Sequence, residues 1–261
     1  MLAIMSKYHK SDRNKNSGES THFGYQSVPT AEKTPLVREV FDTVAPNYDL
    51  MNDLMSLGIH RLWKRGMINW LAPRKNMELL DVGGGTGDIA LRFINSGGEN
   101  VTVLDINEAM LKSGRKKVSA NEASKKIHWL QGNAEGLPFK NAYFDAYTTA
   151  FCVRNVTHID RMLSEACRVL KPGGRFMCLE FSHVVLPVIE KLYDTYSFKV
   201  LPALGEIVAG DRDAYQYLAE SIRQFPNQST FSEMILASGL EQVKVHNLSG
   251  GIAAIHSAWR I

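Results

Sequence analysis

Residues 78 to 88 read Glu-Leu-Leu-Asp-Val-Gly-Gly-Gly-Thr-Gly-Asp, and this stretch decides the fold. Its apolar first half predicts a buried β-strand, and its second half predicts a tight turn that leads into a helix. Gly83, Gly85 and Gly87 alternate along the turn, where only glycine leaves the backbone open to close approach by a ligand. We therefore expect a nucleotide-binding turn at the end of a strand in a parallel sheet.

The spacing of the glycines separates three kinds of cofactor. The dinucleotide fingerprint G-x-G-x-x-G requires a glycine where this chain has Asp88, so a nicotinamide cofactor is disfavoured. No Gly-Lys-Ser/Thr follows, and Asp81 and Asp88 would repel a polyphosphate. S-adenosylmethionine fits better, because carboxylates can hold its sulfonium and ammonium groups. The alternative is a glycine-rich turn that binds nothing.

Asp105, at the end of the next predicted strand, supports the interpretation that the turn binds a nucleotide. Residues 101–104 predict a strand that ends at Asp105, 20 residues after Gly85. A carboxylate at this place can accept hydrogen bonds from both ribose hydroxyls of an adenosine. A simpler role, N-cap of the helix that begins near Asn107, does not exclude the first. Asp105 thus indicates adenosine without distinguishing between cofactors that contain it.

Composition restricts the remaining possibilities. The chain has 261 residues, of which 44% are hydrophobic, and its net charge is +3. The first 20 residues account for +2 of that charge, so we expect a disordered tail at 1–20, one folded domain at 21–261 and no nucleic-acid partner. No apolar run approaches the ~18 residues that span a bilayer, which favours a cytoplasmic protein. Three cysteines without a C-x-x-C pair predict neither disulfides nor a metal site.

The pattern of apolar residues predicts an α/β fold. Helices at 34–44, with Thr34 as N-cap, and 59–71 form an N-terminal cap at 31–72, and strands then alternate with helices. A helical insertion at 184–238 precedes a closing hairpin at 241–261. We expect the class I S-adenosylmethionine-dependent methyltransferase fold: a mostly parallel seven-stranded sheet with a terminal antiparallel hairpin and a helical cap. The predicted strands are 78–82, 101–105, 126–131, 144–150 and 175–181, and the helices between them are 88–95, 108–119 and 158–170.

From Thr21 onward the chain resembles one family, the C-methyltransferases of ubiquinone and menaquinone biosynthesis (UbiE type). The resemblance covers nearly the whole chain and is densest in a few segments. Those segments are Thr21-His22-Phe23-Gly24-Tyr25-Gln26, Tyr48-Asp49-Leu50-Met51-Asn52-Asp53 with Gly58-Ile59-His60-Arg61-Leu62-Trp63-Lys64, Arg154-Asn155-Val156 with Arg168-Val169-Leu170-Lys171-Pro172-Gly173-Gly174, and Tyr217-Leu218-Ala219-Glu220-Ser221-Ile222-Arg223.

The resemblance implies an activity and a set of binding residues. Thr86, Asp105, Asn133 and Ala134 would hold S-adenosylmethionine, beside Asp81 and the three alternating glycines, although Thr86 could also be a helix cap and residues 133–136 an ordinary turn. The implied substrate is a reduced quinone with a polyprenyl tail, either a 2-methoxy-6-polyprenyl-1,4-benzoquinol, a demethylmenaquinol or both. The implied reaction adds a methyl group to a ring carbon.

Two residues are candidates for catalysis. Arg154 follows the fourth strand, at the edge where open α/β sheets bind ligands, and its guanidinium can stabilise a phenolate. The alternative for Arg154 is a salt bridge that anchors the following loop. Tyr48 lies beyond the first cap helix, where its hydroxyl can reach the ring. His60 is expected on a polar helix face, and a surface or helix-capping histidine is the plainer interpretation.

Partners and rival functions follow from the same reasoning. A lipid-dissolved quinol requires transient contact with a membrane surface, through segment 31–72 or 184–238, and a homodimer or a quinone-biosynthesis complex remains open. Residues 148–152 lack the Asn/Asp-Pro-Pro-Tyr/Phe motif of amino-methylating enzymes. The remaining alternatives are a methyltransferase for another small phenolic or lipid substrate, and a non-catalytic scaffold that keeps the fold.

Overall fold

A computed structural model describes residues 19–45, 48–119, 122–184 and 212–261. The strands in this part of the chain are β1 (Ser20–Phe23), β2 (Gln26–Pro29), β3 (Glu78–Val82), β4 (Asn100–Asp105), β5 (Ile127–Gln131), β6 (Phe144–Ala150), β7 (Leu170–Phe181), β8 (Glu241–Leu248) and β9 (Ala253–Trp259). The helices are α1 (Thr30–Val44), α2 (Tyr48–Ser56), α3 (His60–Leu71), α4 (Asp88–Asn95), α5 (Glu108–Val118), α6 (Ile159–Val169), α7 (Arg212–Gln224) and α8 (Gln228–Ala237). Short 3-10 helices cover Glu122–Lys126, Val153–Asn155 and Ser249–Gly251.

Seven strands form one sheet in the order β5-β4-β3-β6-β7-β9-β8. The pairs from β5 to β7 are parallel, and β9 runs antiparallel to both of its neighbours. The predicted parallel sheet and closing hairpin are therefore confirmed. The chain proceeds from β3 outward through β4 and β5 and then crosses to β6 on the other side of β3. Such a reversal opens a crevice at the carboxyl ends of the strands.

Both faces of the sheet are covered, as a parallel sheet requires. Neighbouring residues of β3 point to opposite faces, and Leu79 and Leu80 are both completely buried. Leu79 belongs to an apolar cluster that includes residues of α1, α3 and α4, whereas Leu80 belongs to a second cluster that includes residues of α6 and α8. The central strands are thus held rigidly, and their carboxyl ends have fixed positions.

Several boundaries differ from the sequence predictions. Helix α1 begins at Thr30 and not at Thr34, so Pro35 lies inside the helix; both the backbone N–H and the hydroxyl of Thr30 bond the carbonyl of Glu19, which fixes the earlier start. Strand β7 begins at Leu170 instead of 175. The hairpin β1–β2 and helix α2 were not predicted, and each of them is short.

His60 corrects another expectation. Its side chain is not on a polar face but is buried, 3% exposed, and its Nε2 lies 2.9 Å from Asp53 Oδ1. The apolar pattern of α3 gave no sign of this contact, because Asp53 belongs to the preceding helix and only the turn between α2 and α3 brings the two together.

Some predictions fall outside the described residues. They are most of the tail at 1–20 and residues 185–211 of the helical insertion. Helices α7 and α8 confirm the helical interpretation of 212–237. In the part of the chain that the structure describes, no helix has the length and apolar character needed to cross a membrane.

Candidate active site

A cleft lies at the carboxyl ends of β3, β4, β5 and β6, facing α1. Its volume is about 730 Å³, including the open mouth. The lining comes from five segments of the chain and includes Val37, Phe41, Gly83, Gly85, Asp105, Asn107, Asn133, Ala134, Phe151, Cys152 and Asn155. This is the crevice that the reversal of strand order predicts.

The glycine turn forms the floor of the cleft. Gly83 and Gly85 have φ angles of 63° and 53°, a left-handed conformation that side chains disfavour. A Cβ atom on Gly83 would lie 2.1 Å from Cys152 Sγ, and one on Gly85 would lie 2.9 Å from Met110 Cε. Conformation therefore favours glycine at both positions, and at Gly83 a side chain would also lack space, so only backbone faces the cleft here.

Asp105 joins the turn to the end of β4. Its Oδ2 accepts a hydrogen bond from Gly85 N and its Oδ1 accepts one from Asn107 N, each at 2.9 Å. Burial raises the pKa of Asp105 to about 6, although these backbone bonds act in the opposite direction. The N-cap of α5 is Asn107, whose side chain accepts from Met110 N, so the capping role suggested for Asp105 is wrong. A partly exposed carboxylate remains available in the cleft wall.

Asp81 precedes the turn, Thr86 and Gly87 end it, and none of the three residues lines the cleft. Asp81 is completely buried, and its Oδ1 accepts a hydrogen bond from Thr148 Oγ1 at 2.9 Å. Burial raises the pKa of Asp81 to about 7, whereas the positive charge of Lys64 lowers it. Of the predicted cofactor residues, the structure brings Gly83, Gly85, Asp105, Asn133 and Ala134 together in the cleft lining.

Asp88 has a partner that the sequence did not reveal. Lys64 of α3, 4% exposed, places its Nζ 2.9 Å from Asp88 Oδ2, and Arg92 Nε lies 3.1 Å from Asp88 Oδ1. Lys64 also lies 5.7 Å from the centre of the Phe151 ring. Helix α3 is thereby tied to the segment that follows the glycine turn. From the sequence alone Lys64 would be placed on the surface of the helix. Its partner Asp88 is 24 residues away, so no local pattern indicates the ion pair.

Arg154 lies in the wall behind the cleft. Its Nη1 donates to Glu180 Oε1 at 2.6 Å and to the carbonyl of Phe151 at 2.7 Å. The side chains of Arg154 and Glu180 are 1% and 2% exposed. Arg154 is absent from the lining of the cleft and contributes instead to a second cavity beside the β1–β2 hairpin and α7. The geometry matches the alternative of a salt bridge that anchors the loop.

Asn155, the next residue, does line the cleft and was not singled out from the sequence as a site residue. Its Oδ1 accepts a hydrogen bond from the hydroxyl of Tyr217 at 2.9 Å, and the Tyr217 ring stacks on Phe23 at 4.2 Å. Burial raises the pKa of Tyr217 above its usual value, so the phenol stays a donor. The signal lay in the family-like segments 21–26, 154–156 and 217–223, which the fold brings into contact.

Tyr48 begins α2, and the structure does not describe its side chain. Cys152 lines the cleft, and burial raises the pKa of its thiol to about 12, so it is an un-ionised neighbour of Gly83. Within the described ranges, no group of three or more His, Cys, Asp or Glu residues is arranged to hold a metal ion.

Known sequences of one methyltransferase family match this chain over nearly its full length. A model described as the ubiE/COQ5 methyltransferase family matches residues 28–260. The ubiquinone/menaquinone biosynthesis C-methyltransferase UbiE of Roseobacter denitrificans is 52% identical over 247 residues, which cover 94% of this chain and 99% of the relative. The protein of the same name from Brucella abortus is 52% identical, over 96% of this chain and 95% of its own.

Solved structures show the fold. A Haloferax volcanii chain, from a complex of the Trm112 methyltransferase activator with a methyltransferase, has a TM-score of 0.60 and 15% identity, with coverage of 86% of this chain and 97% of that one. A Thermotoga maritima S-adenosylmethionine-dependent methyltransferase has a TM-score of 0.60 and 18% identity, with coverage of 85% and 99%. The fold is that of class I S-adenosylmethionine-dependent methyltransferases, which confirms the prediction from the sequence.

Proposed function

The chain belongs to the ubiE/COQ5 methyltransferase family, and we propose that it methylates a ring carbon of a polyprenylated quinol, with S-adenosylmethionine as methyl donor, in ubiquinone or menaquinone biosynthesis. The observation that carries this proposal is the cleft at the carboxyl ends of β3–β6, built around Asp105 and the glycine turn. Identity of 52% to UbiE C-methyltransferases over 94% of the chain supports the same substrate class.

The residues of the cleft suit this cofactor. Gly83 and Gly85 present backbone to the cleft, against which its methionine part can lie, and the half-buried Asp105 can accept the ribose hydroxyls. Asn133 and Ala134 line the cleft after β5, where we assign the adenine. When bound there, S-adenosylmethionine supplies a methyl group on a positively charged sulfur. Asp81 supports the turn from behind.

The apolar side of the cleft suits the reaction. A quinol ring carbon becomes nucleophilic when the neighbouring hydroxyl loses its proton, and transfer of the methyl group then neutralises a negative ring and a positive sulfur. Because charge disappears along this path, a site that excludes water favours it. Val37, Phe41 and Phe151 supply such a wall. The methylated ring carbon then loses its proton and the ring oxygen regains one, which restores the aromatic quinol, so that one proton in all passes to water. The protein has to orient the ring and stabilise the phenolate.

We propose that Asn155 binds the ring oxygen of the quinol. Asn155 lines the cleft, and its side-chain amide is held by the Tyr217 hydroxyl. Arg154 supports this arrangement as a positioning residue, because its guanidinium holds the carbonyl of Phe151 while paired with Glu180. Direct contact of Arg154 with the phenolate would require its side chain to move, because Arg154 does not line the cleft. Tyr48, at the start of α2, remains our proposal for a second contact to the ring hydroxyl.

One experiment tests the substrate. The purified protein is incubated with methyl-labelled S-adenosylmethionine and either a short-tailed demethylmenaquinol or a short-tailed 2-methoxy-benzoquinol, kept reduced by dithionite. Mass spectrometry should show a labelled methyl group on the ring carbon of at least one. Labelling of a quinol oxygen would contradict C-methylation. Failure with both quinols, together with cofactor binding in calorimetry, would favour another phenolic or lipid substrate, and failure to bind the cofactor would favour the scaffold.

The substrate also suggests where the protein works. A quinol with a long polyprenyl tail resides in a bilayer, so we propose that the enzyme works in the cytoplasm and contacts a membrane surface transiently. A homodimer or a complex with other enzymes of quinone biosynthesis is compatible with this arrangement. Sedimentation of cell membranes, followed by a salt wash, tests the contact; release by the wash is expected, and resistance to it would contradict transient docking.

A further inference from the structure

The turn between α2 and α3 exposes apolar side chains in a way that the fold does not require. Leu57 is 71% exposed, Ile59 38% and Leu62 65%, and all three lie within six residues. Single exposed apolar residues are common on protein surfaces, but a group of them marks an interaction site. We call Leu57, Ile59 and Leu62 the leucine tip.

The backbone at Leu57 is strained. Its φ is 51°, in the left-handed region, and Gly58 N bonds the carbonyl of Asp53 at 2.9 Å, the pattern that ends a helix with glycine in the left-handed position. Here leucine occupies that position, at a local conformational cost. Because its side chain is largely exposed, packing within the described residues offsets little of that cost.

Basic residues adjoin the tip. Arg61 is 60% exposed, and Arg65 is exposed one helical turn later. Residues three and four apart share a helix face, so Leu62, Arg61 and Arg65 lie together on the outer side of α3. Asp53 holds Arg61 through contacts of 3.0 and 2.6 Å, which fixes the tip rigidly on α2. Exposed leucines beside arginines match a bilayer surface that contains anionic lipid.

The tip connects directly to the cleft. Trp63, next to Leu62, is buried, and its ring lies 6.4 Å from that of Phe151 in the cleft lining. Met51 of α2 belongs to the same apolar cluster as Trp63 and Phe151. We propose that the leucine tip inserts into the interface of an anionic membrane and that Arg61 and Arg65 contact its headgroups. The choice of a lipid partner rests on the proposed quinol substrate.

The decisive variant separates docking from folding. Leu57→Gly removes the exposed side chain and relieves the left-handed backbone, so thermal stability should hold or rise while membrane binding falls. In the double variant Leu57→Gly, Leu62→Ser, binding to vesicles of phosphatidylcholine and phosphatidylglycerol, about three to one, should weaken about tenfold in flotation. Leu236→Ser is the matched control, since Leu236 is 51% exposed on α8 and should bind as the unaltered protein does.

Arg65→Glu tests the headgroup contact, and its effect should appear with anionic vesicles but not with pure phosphatidylcholine. Methylation of a short-tailed quinol in buffer should be unchanged in the double variant, whereas turnover of a long-tailed quinol in vesicles should fall. If no quinol is methylated but vesicle binding still follows the leucines, docking stands and the proposed substrate fails. Unaltered binding of the double variant would overturn the proposal, as would a dimer in sedimentation velocity that the double variant dissociates.

Discussion

Arg154 and Glu180 form a buried ion pair, with Nη1 and Oε1 2.6 Å apart, directly behind the cofactor cleft. Glu180 lies in β7 and Arg154 in the short helix after β6, so the pair joins the carboxyl ends of two adjacent strands. Burial raises the pKa of Glu180, and the charge of Arg154 opposes that shift. The pair therefore holds the segment that presents Phe151, Cys152 and Asn155 to the cleft.

We expect Glu180→Ala to destabilise the protein by about 3–5 kcal/mol, because it leaves the Arg154 charge buried without its carboxylate. Replacement of both residues, by Glu180→Leu and Arg154→Met, should cost much less. Urea unfolding followed by circular dichroism measures both. Equal losses in the single and double variants would show that packing, and not the uncompensated charge, accounts for the effect.

Asp105→Ala should weaken binding of S-adenosylmethionine by about 1.5–3 kcal/mol, the range for hydrogen bonds to a charged group. Isothermal titration calorimetry measures the affinity. Asp160→Ala, at an exposed acid in the first turn of α6, is the control and should leave it unchanged. A folded Asp105→Ala protein that binds normally would remove Asp105 from the site.

Cofactor affinity should rise with pH through about 6. Burial raises the pKa of Asp105 from 3.8 to about 6, so the carboxylate is largely protonated at pH 5 and ionised at pH 7. Only the ionised form accepts both ribose hydroxyls. For the cofactor-free protein the sign is opposite: the penalty of burying the charge is absent below pH 4, and stability falls as pH rises through 6.

The matched variant for this pH dependence is Asp105→Asn, which cannot ionise. Calorimetry from pH 5 to 8 should show a rise in affinity for the unaltered protein and a smaller one for Asp105→Asn. Asp81, with a pKa of about 7, titrates in both proteins, and because the Asp105 charge helps to raise that pKa, the titration of Asp81 should move to lower pH in Asp105→Asn. Parallel curves would contradict the assignment.

Gly83→Ala should impair cofactor binding and stability together, because the new Cβ would lie 2.1 Å from Cys152 Sγ at a φ of 63°. Gly136→Ala is the control, since a Cβ there has no neighbour within 4 Å. Thermal unfolding measures the stability of both variants, and calorimetry measures their affinity for the cofactor. If Gly83→Ala behaves like Gly136→Ala, the turn is more yielding than its packing indicates.

Tyr217→Phe should lower turnover by about two- to tenfold with little change in cofactor affinity, because Asn155 loses the hydroxyl that orients it. Tyr147→Phe is a matched control: the Tyr147 hydroxyl is buried with no hydrogen-bond partner among the described residues, so its removal breaks no such bond. Steady-state kinetics on a short-tailed quinol provides the test. Equal effects of the two substitutions would argue against a positioning role for Tyr217.

The sequence by itself determined the alternation of strands and helices from β3 to β7 and the place of the cofactor turn. Both are local properties of the sequence. An apolar run ends just before Gly83, Asp105 ends the next strand, and in a parallel sheet the carboxyl ends of neighbouring strands meet at one edge. The closing hairpin was also predictable from local sequence, because two apolar segments flank Gly250-Gly251.

The tertiary structure alone decided which side chains enter the cleft. Arg154 follows a strand end as a catalytic residue would, yet it lies behind the wall because Glu180, 26 residues later, pairs with it. Asn155 enters the cleft, held by Tyr217 from 62 residues away. Such pairings depend on how separate elements pack, and local sequence patterns carry no record of a partner so distant in the chain.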